Sequence, residues 1–103
     1  MNFIFMLIKI HHTYRDVVAI CDTEILGKTY EEGIKILDVR KSFYEGDEKT
    51  EQETIEIMRD LQKEDATFNI VGEKAVSAAL RAGIIKKEGI GKVQGVPFAL
   101  VLL

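Results

Sequence analysis

The sequence predicts an α+β fold: a two-layer sandwich with a mixed or mostly antiparallel sheet and two main helices on one face. Three observations lead there. Residues 17–21, Val-Val-Ala-Ile-Cys, form a near-continuous apolar run of strand length, the mark of a strand covered on both faces. Thr50-Glu-Gln-Glu53 has capping-box spacing just ahead of an amphipathic stretch, which marks a helix start. The last residues, Phe98-Ala-Leu-Val-Leu-Leu103, make an uncharged strand. Such a strand suits the middle of a sheet or a covered place better than an open edge.

Taken in order, residues 5–10 and 16–21 read as strands, with the turn of a hairpin between them at 11–15. Asp22-Thr23 then supply a capping residue ahead of one helical turn over 24–27, which Gly27 would end. Residues 34–39 read as a third strand. The capping box opens a helix over 51–63, in which Thr54, Ile57, Met58 and Leu61 share a face. Glu51 and Glu53 suit the positive end of its dipole. Residues 67–71 make a short strand. Gly72 opens a second helix to about Ala82, with Ala75, Val76, Ala79 and Leu80 as its buried stripe and Gly83 as its stop. Its alanines let it lie close on a sheet. Residues 84–96 are turn-rich, with a short strand at 92–94. Pro97 suits the first position of the last strand.

The length of 103 residues fits one domain spanning the chain. A domain of that size buries about 65 % of its unfolded surface, enough for one core. With 47 % hydrophobic residues the chain is too apolar for disorder. Residues 1–5 read either as an extension ahead of a second start at Met6 or as added length on the first strand. No apolar run approaches the ~20 residues that span a bilayer, so no membrane association is expected. A single cysteine makes no internal disulfide and no cysteine-based zinc site, which points to a reducing compartment.

The net charge of −3 disfavours a protein that coats nucleic acid over its whole surface. Its distribution is more informative. Residues 45–65 hold nine acids and three bases, a net −6, while residues 74–92 hold five bases and one acid, a net +4. Lys74, Arg81, Lys86, Lys87 and Lys92 are therefore candidates for phosphate contact, with Tyr44 as a candidate to stack on a base. The plainer reading is a solvated basic face paired with the acidic helix.

Other candidates are weaker. His11 and His12 lie at the hairpin turn, and Cys21 lies at the far end of the next strand, roughly 20 Å away, so no thiol–imidazole pair is expected. Adjacent strand residues point to opposite faces, so the two histidines do not converge on a metal. No catalytic constellation, metal site or cofactor is expected. The strand–Gly–helix order at Asn69-Ile-Val-Gly72-Glu-Lys aims backbone N–H groups outward, a known arrangement for anions. Glu73 opposes that use. Cys21, Asp22, Asn69, Gly72 and Glu73 form the candidate ligand site.

Four segments taken together resemble the archaeal domain-of-unknown-function family number 424. They are Ala19-Ile-Cys-Asp-Thr-Glu-Ile-Leu-Gly-Lys28, Phe43-Tyr-Glu-Gly46, Asn69-Ile-Val-Gly-Glu-Lys-Ala-Val76 and Gly95-Val-Pro-Phe-Ala99. The resemblance covers nearly the whole chain from Met6. It departs from the family pattern at Glu45, where a second Gly is common, at Leu100, where Gln is common, and near Tyr14, where Gly is common. The resemblance implies an archaeal cytoplasmic protein with a small α/β fold and no established activity. It further implies company with translation and RNA-handling machinery. The leading expectation is thus a non-catalytic module that binds RNA or a ribonucleoprotein, with RNA or translation proteins as partners. The alternatives are a small enzyme or ligand binder using the Cys21–Asp22 and Asn69–Glu73 residues, and a homo-oligomer or protein-partner adaptor.

Overall fold

The computed structural model describes residues 4–102. The elements run β1 (Phe5–His11), β2 (Val17–Asp22), a 3-10 turn (Thr23–Ile25), β3 (Thr29–Glu32), β4 (Lys35–Asp38), α1 (Lys41–Tyr44) and β5 (Asp47–Thr50). Then follow α2 (Glu51–Lys63), β6 (Thr67–Val71), α3 (Glu73–Ala82), a second 3-10 turn (Lys87–Gly89), β7 (Gly91–Val93) and β8 (Val96–Val101). The fold is α+β, as the sequence predicts. Six strands form one mixed sheet in the order β5-β1-β2-β6-β8-β7, and β3 and β4 form a separate two-stranded hairpin. Among the described residues only the β2–β6 pair is parallel. Phe5 belongs to β1, whereas residues 1–3, most of the candidate extension, and residue 103 lie outside the described residues.

Strand alternation sorts the core into two halves. Met6, Ile8, Val18, Ile20, Phe68 and Ile70 face α2 and α3, where they meet Ile55, Met58, Ala75, Val76 and Ala79. The opposite face, with Leu7, Ala19, Cys21 and Val71, packs against Val39, Tyr44, Leu37 and Tyr30. So the two main helices share one face, and the β3–β4 hairpin with α1 covers part of the other. This explains the apolar run of β2, in which Val18 to Asp22 are all buried. Ala75, Ala78 and Ala79 are fully buried, and their small side chains bring α3 close to the sheet.

Helix α2 begins and ends where the sequence places it. The Thr50 hydroxyl accepts from the Glu53 amide at 3.2 Å, and the Glu53 carboxylate accepts from the Thr50 amide at 3.0 Å. Three elements escape the sequence reading: β3, α1 and β5. Residues 34–39 contribute the second strand of the hairpin and not an isolated one. β8 lies between β6 and β7, although β7 pairs only with residues 96–98. Leu100 and Leu102 beyond them are exposed.

Candidate functional site

Asp22 does not cap the turn that follows it, since that turn has no side-chain cap. Its carboxylate crosses to α3 and accepts from the backbone amides of Lys74 at 3.1 Å and Ala75 at 2.8 Å. A residue 52 positions upstream thereby satisfies N–H groups that a helix start leaves open. Gly72 lets this happen. It lies at φ 109°, ψ 156°, and a Cβ there would fall 2.4 Å from the Asp22 Cγ. Burial pushes the Asp22 carboxyl above its usual range, against the two amide hydrogen bonds. Asp22, Gly72 and Glu73 do line one cavity of about 340 Å³, with Glu24 and Gln94 at its walls. Its anion-binding amides are already taken by Asp22, and the carboxylates of Glu24 and Glu73 surround what is left.

The other two candidates of this group lie elsewhere. Asn69 falls on the opposite face of the sheet, and Cys21 is wholly buried there among Leu7, Ala19, Val39 and Tyr44. His11 stands four residues along β1 from Leu7, which pairs with Cys21. That is about 13 Å, shorter than the sequence estimate and still out of reach. The histidines diverge as expected. His11 stacks on Phe43, with centroids 4.6 Å apart, and its Nε2 lies 2.8 Å from the Phe43 carbonyl, while His12 pairs with Asp16 at 3.4 Å.

Burial pushes the Cys21 thiol up to about 12, with Asp22 and Glu24 adding to the effect, and burial takes the Tyr44 phenol to about 12 as well. Both groups are easier to ionise unfolded than folded. Above about pH 9 the unfolded chain therefore releases protons that the folded chain keeps, and stability falls as pH rises towards 12. Urea unfolding across this range should show that decline, with a shallower slope for Cys21→Ala. The native thiol should also resist Ellman's reagent until the protein unfolds.

The five basic candidates divide into two sets. Lys74 pairs with Glu24 at 2.6 Å and holds that carboxyl below its usual range. Arg81 pairs with Glu51 at the start of the acidic helix. Lys86, Lys87 and Lys92 are exposed and have no ion pair among the described residues. Lys92 lies directly opposite Pro97, whose neighbour in alternation, Ala99, pairs with the helix-facing Ile70, so Lys92 projects on the helix side of the sheet. The aromatic candidate moves the other way. Tyr44 is buried and Phe43 is the half-buried partner at the rim, the reverse of the usual order for such a pair. The ring of Tyr44 is therefore not presented to a base.

On the face opposite α2 and α3, Asp38, Arg40, Phe43, Tyr44 and Asn69 line a cleft of about 380 Å³. Asp38 accepts from the Thr29 hydroxyl at 3.3 Å through one oxygen and meets the Arg40 Nε at 3.5 Å through the other. The residues from 38 to 44 hold their place through α1. Lys9 donates to the Ser42 carbonyl at 3.1 Å, and His11 is anchored at Phe43.

A family model described as "Protein of unknown function (DUF424)" matches residues 10–103. The chain belongs to that family. A crystal structure of an uncharacterized conserved protein from Methanopyrus kandleri is similar to it at a TM-score of 0.85 and 27 % identity, over 94 % of this chain and 90 % of that one. No curated protein matches the chain. No helix of the described residues is long and apolar enough to cross a membrane.

Arg40 and Asp38 are the cleft residues that sequence reasoning missed. Arg40 sits in a mixed-charge stretch with no periodic pattern, so nothing local marks it. The nearby Phe43-Tyr-Glu-Gly46 segment was a usable signal, since its glycine is where the chain presses against β1.

Proposed function

We propose that the chain is a non-catalytic, cytoplasmic docking module that contacts the phosphates of structured RNA through Lys86, Lys87 and Lys92. One observation carries the reading: these three lysines, within seven residues of chain, are exposed and have no ion pair among the described residues, whereas Lys74 and Arg81 are spent on Glu24 and Glu51. Unpaired cations keep their charge available for phosphate, and few of them give weak, salt-sensitive binding. The pairing narrows the basic set from five residues to three. Tyr44, the aromatic candidate, is buried, so stacking on it is not part of the proposal.

Anisotropy titration of a labelled structured RNA at low salt tests it. Wild-type protein should bind, and the triple reversal Lys86→Glu, Lys87→Glu, Lys92→Glu should abolish binding without lowering stability. No wild-type binding at about 50 mM salt, where phosphate contacts are strongest, removes the proposal.

A further inference from the structure

The cleft at Arg40 and Asn69 lies on the other side of the sheet from Lys92 and has no part in the RNA proposal. Its volume of about 380 Å³ falls in the range of about 300–1,000 Å³ usual for small-ligand sites. Three polar or aromatic groups that line it have recognition chemistry. The Asn69 carboxamide is half-buried on the central strand β6 and makes no hydrogen bond within the described residues. Arg40 meets Asp38 through Nε at 3.5 Å, and its two terminal nitrogens make no hydrogen bond among the described residues. Phe43 contributes aromatic surface, and its own position is fixed by the stacked His11 and the edge-on Tyr44 at 5.0 Å.

Each group has a preferred partner. A carboxamide presents a donor and an acceptor side by side, which matches the edge of a nucleobase. A guanidinium fork matches phosphate in bidentate geometry. An aromatic ring packs against a planar ring system. The Asp38 carboxylate pairs with this same guanidinium through Nε and offsets part of its charge, so phosphate binding rests on hydrogen bonds from the two terminal nitrogens, with the pair orienting the fork. We propose that this cleft binds a nucleoside monophosphate unit, with the base at Asn69 and Phe43 and the phosphate on the Arg40 fork.

The probes are AMP, GMP, CMP and UMP, followed by two-dimensional amide NMR on the full chain. At least one should give saturable shifts concentrated at residues 38–44 and 69. Arg40→Gln, a change at an exposed side chain, should weaken that nucleotide about tenfold while leaving the matching nucleoside unchanged, as expected for loss of a charge-assisted phosphate contact. Asn69→Ala should weaken nucleotide and nucleoside alike. A 5′-phosphorylated oligoribonucleotide run in parallel separates the two sources of this unit: tighter binding than the free nucleotide supports an RNA terminus, and weaker binding supports a free metabolite. The proposal is overturned if no mononucleotide shifts these resonances. It is equally overturned if inorganic phosphate alone reproduces the shifts, or if Arg40→Gln leaves nucleotide affinity unchanged.

Discussion

Gly72→Ala is expected to lower the unfolding free energy by about 3–5 kcal/mol, among the largest single-residue effects. Two costs add. A residue with a Cβ at φ 109°, ψ 156° enters a backbone region essentially reserved for glycine, which costs about 1–3 kcal/mol. The new methyl also lands 2.4 Å from the Asp22 Cγ and 2.5 Å from its Oδ1. Asp22 cannot swing away without dropping the amides of Lys74 and Ala75, and buried amides left unmet cost about 1–3 kcal/mol. Asp22→Ala alone should therefore cost about 2–4 kcal/mol by losing the cap. The two changes must be non-additive. With Asp22 already shortened, the Gly72 methyl has fewer atoms to strike, so Gly72→Ala should cost less in that background. Urea unfolding of the two single variants and the double variant gives the cycle. Strict additivity would mean that the Asp22 carboxylate does not sit over the start of α3.

Gly46→Ala is expected to cost about 2–4 kcal/mol and to act at the sheet edge. The added Cβ would meet the Ile8 carbonyl oxygen at 2.1 Å, its carbon at 2.7 Å and the Lys9 Cα at 2.8 Å. All three are backbone atoms of β1, so no rotamer change relieves the contact. The chain must move off β1 at the entry to β5, where Asp47 pairs with Ile8. β5 runs directly into Thr50 and the capping box of α2, so the displacement reaches that helix. Hydrogen exchange should show protection lost at residues 47–50 and in the first turn of α2, with β6 and α3 still protected, since units with fewer buried contacts open first. Unchanged protection at β5 would contradict this account.

How much of this was legible in the sequence depends on how local each cause is. The α2 capping box lies within four residues, and both of its hydrogen bonds are present as read. The β2 run is apolar because helices cover one side and Val39 and Tyr44 the other, so a composition signal reported a tertiary fact correctly. β5 stayed hidden because Asp-Glu-Lys-Thr is an edge strand, and charge protects edges at the expense of any strand pattern. β3 and β4 project as a hairpin with most residues exposed, so little alternation remained to read. The role of Asp22 is not legible locally, because proximity in sequence favours the turn beside it, while the helix it serves begins 51 residues later. Of the five bases, sequence alone does not divide the paired from the unpaired. Glu51 and Glu24 reach Arg81 and Lys74 only through the packing of α2, β2 and α3.

That division is the central claim, and a salt-dependence comparison tests it most directly. RNA affinity is measured against salt for wild type, for the Lys86/Lys87/Lys92 reversal, and for Lys74→Glu with Arg81→Glu. Three phosphate contacts give the wild type a log–log slope of about −2 to −3. The account predicts that this slope collapses in the triple reversal. It also predicts that the Lys74/Arg81 pair of changes chiefly lowers stability, because each leaves a carboxylate facing a carboxylate, and largely preserves the slope. Loss of the slope in the Lys74/Arg81 variant together with its retention in the triple reversal would contradict the account.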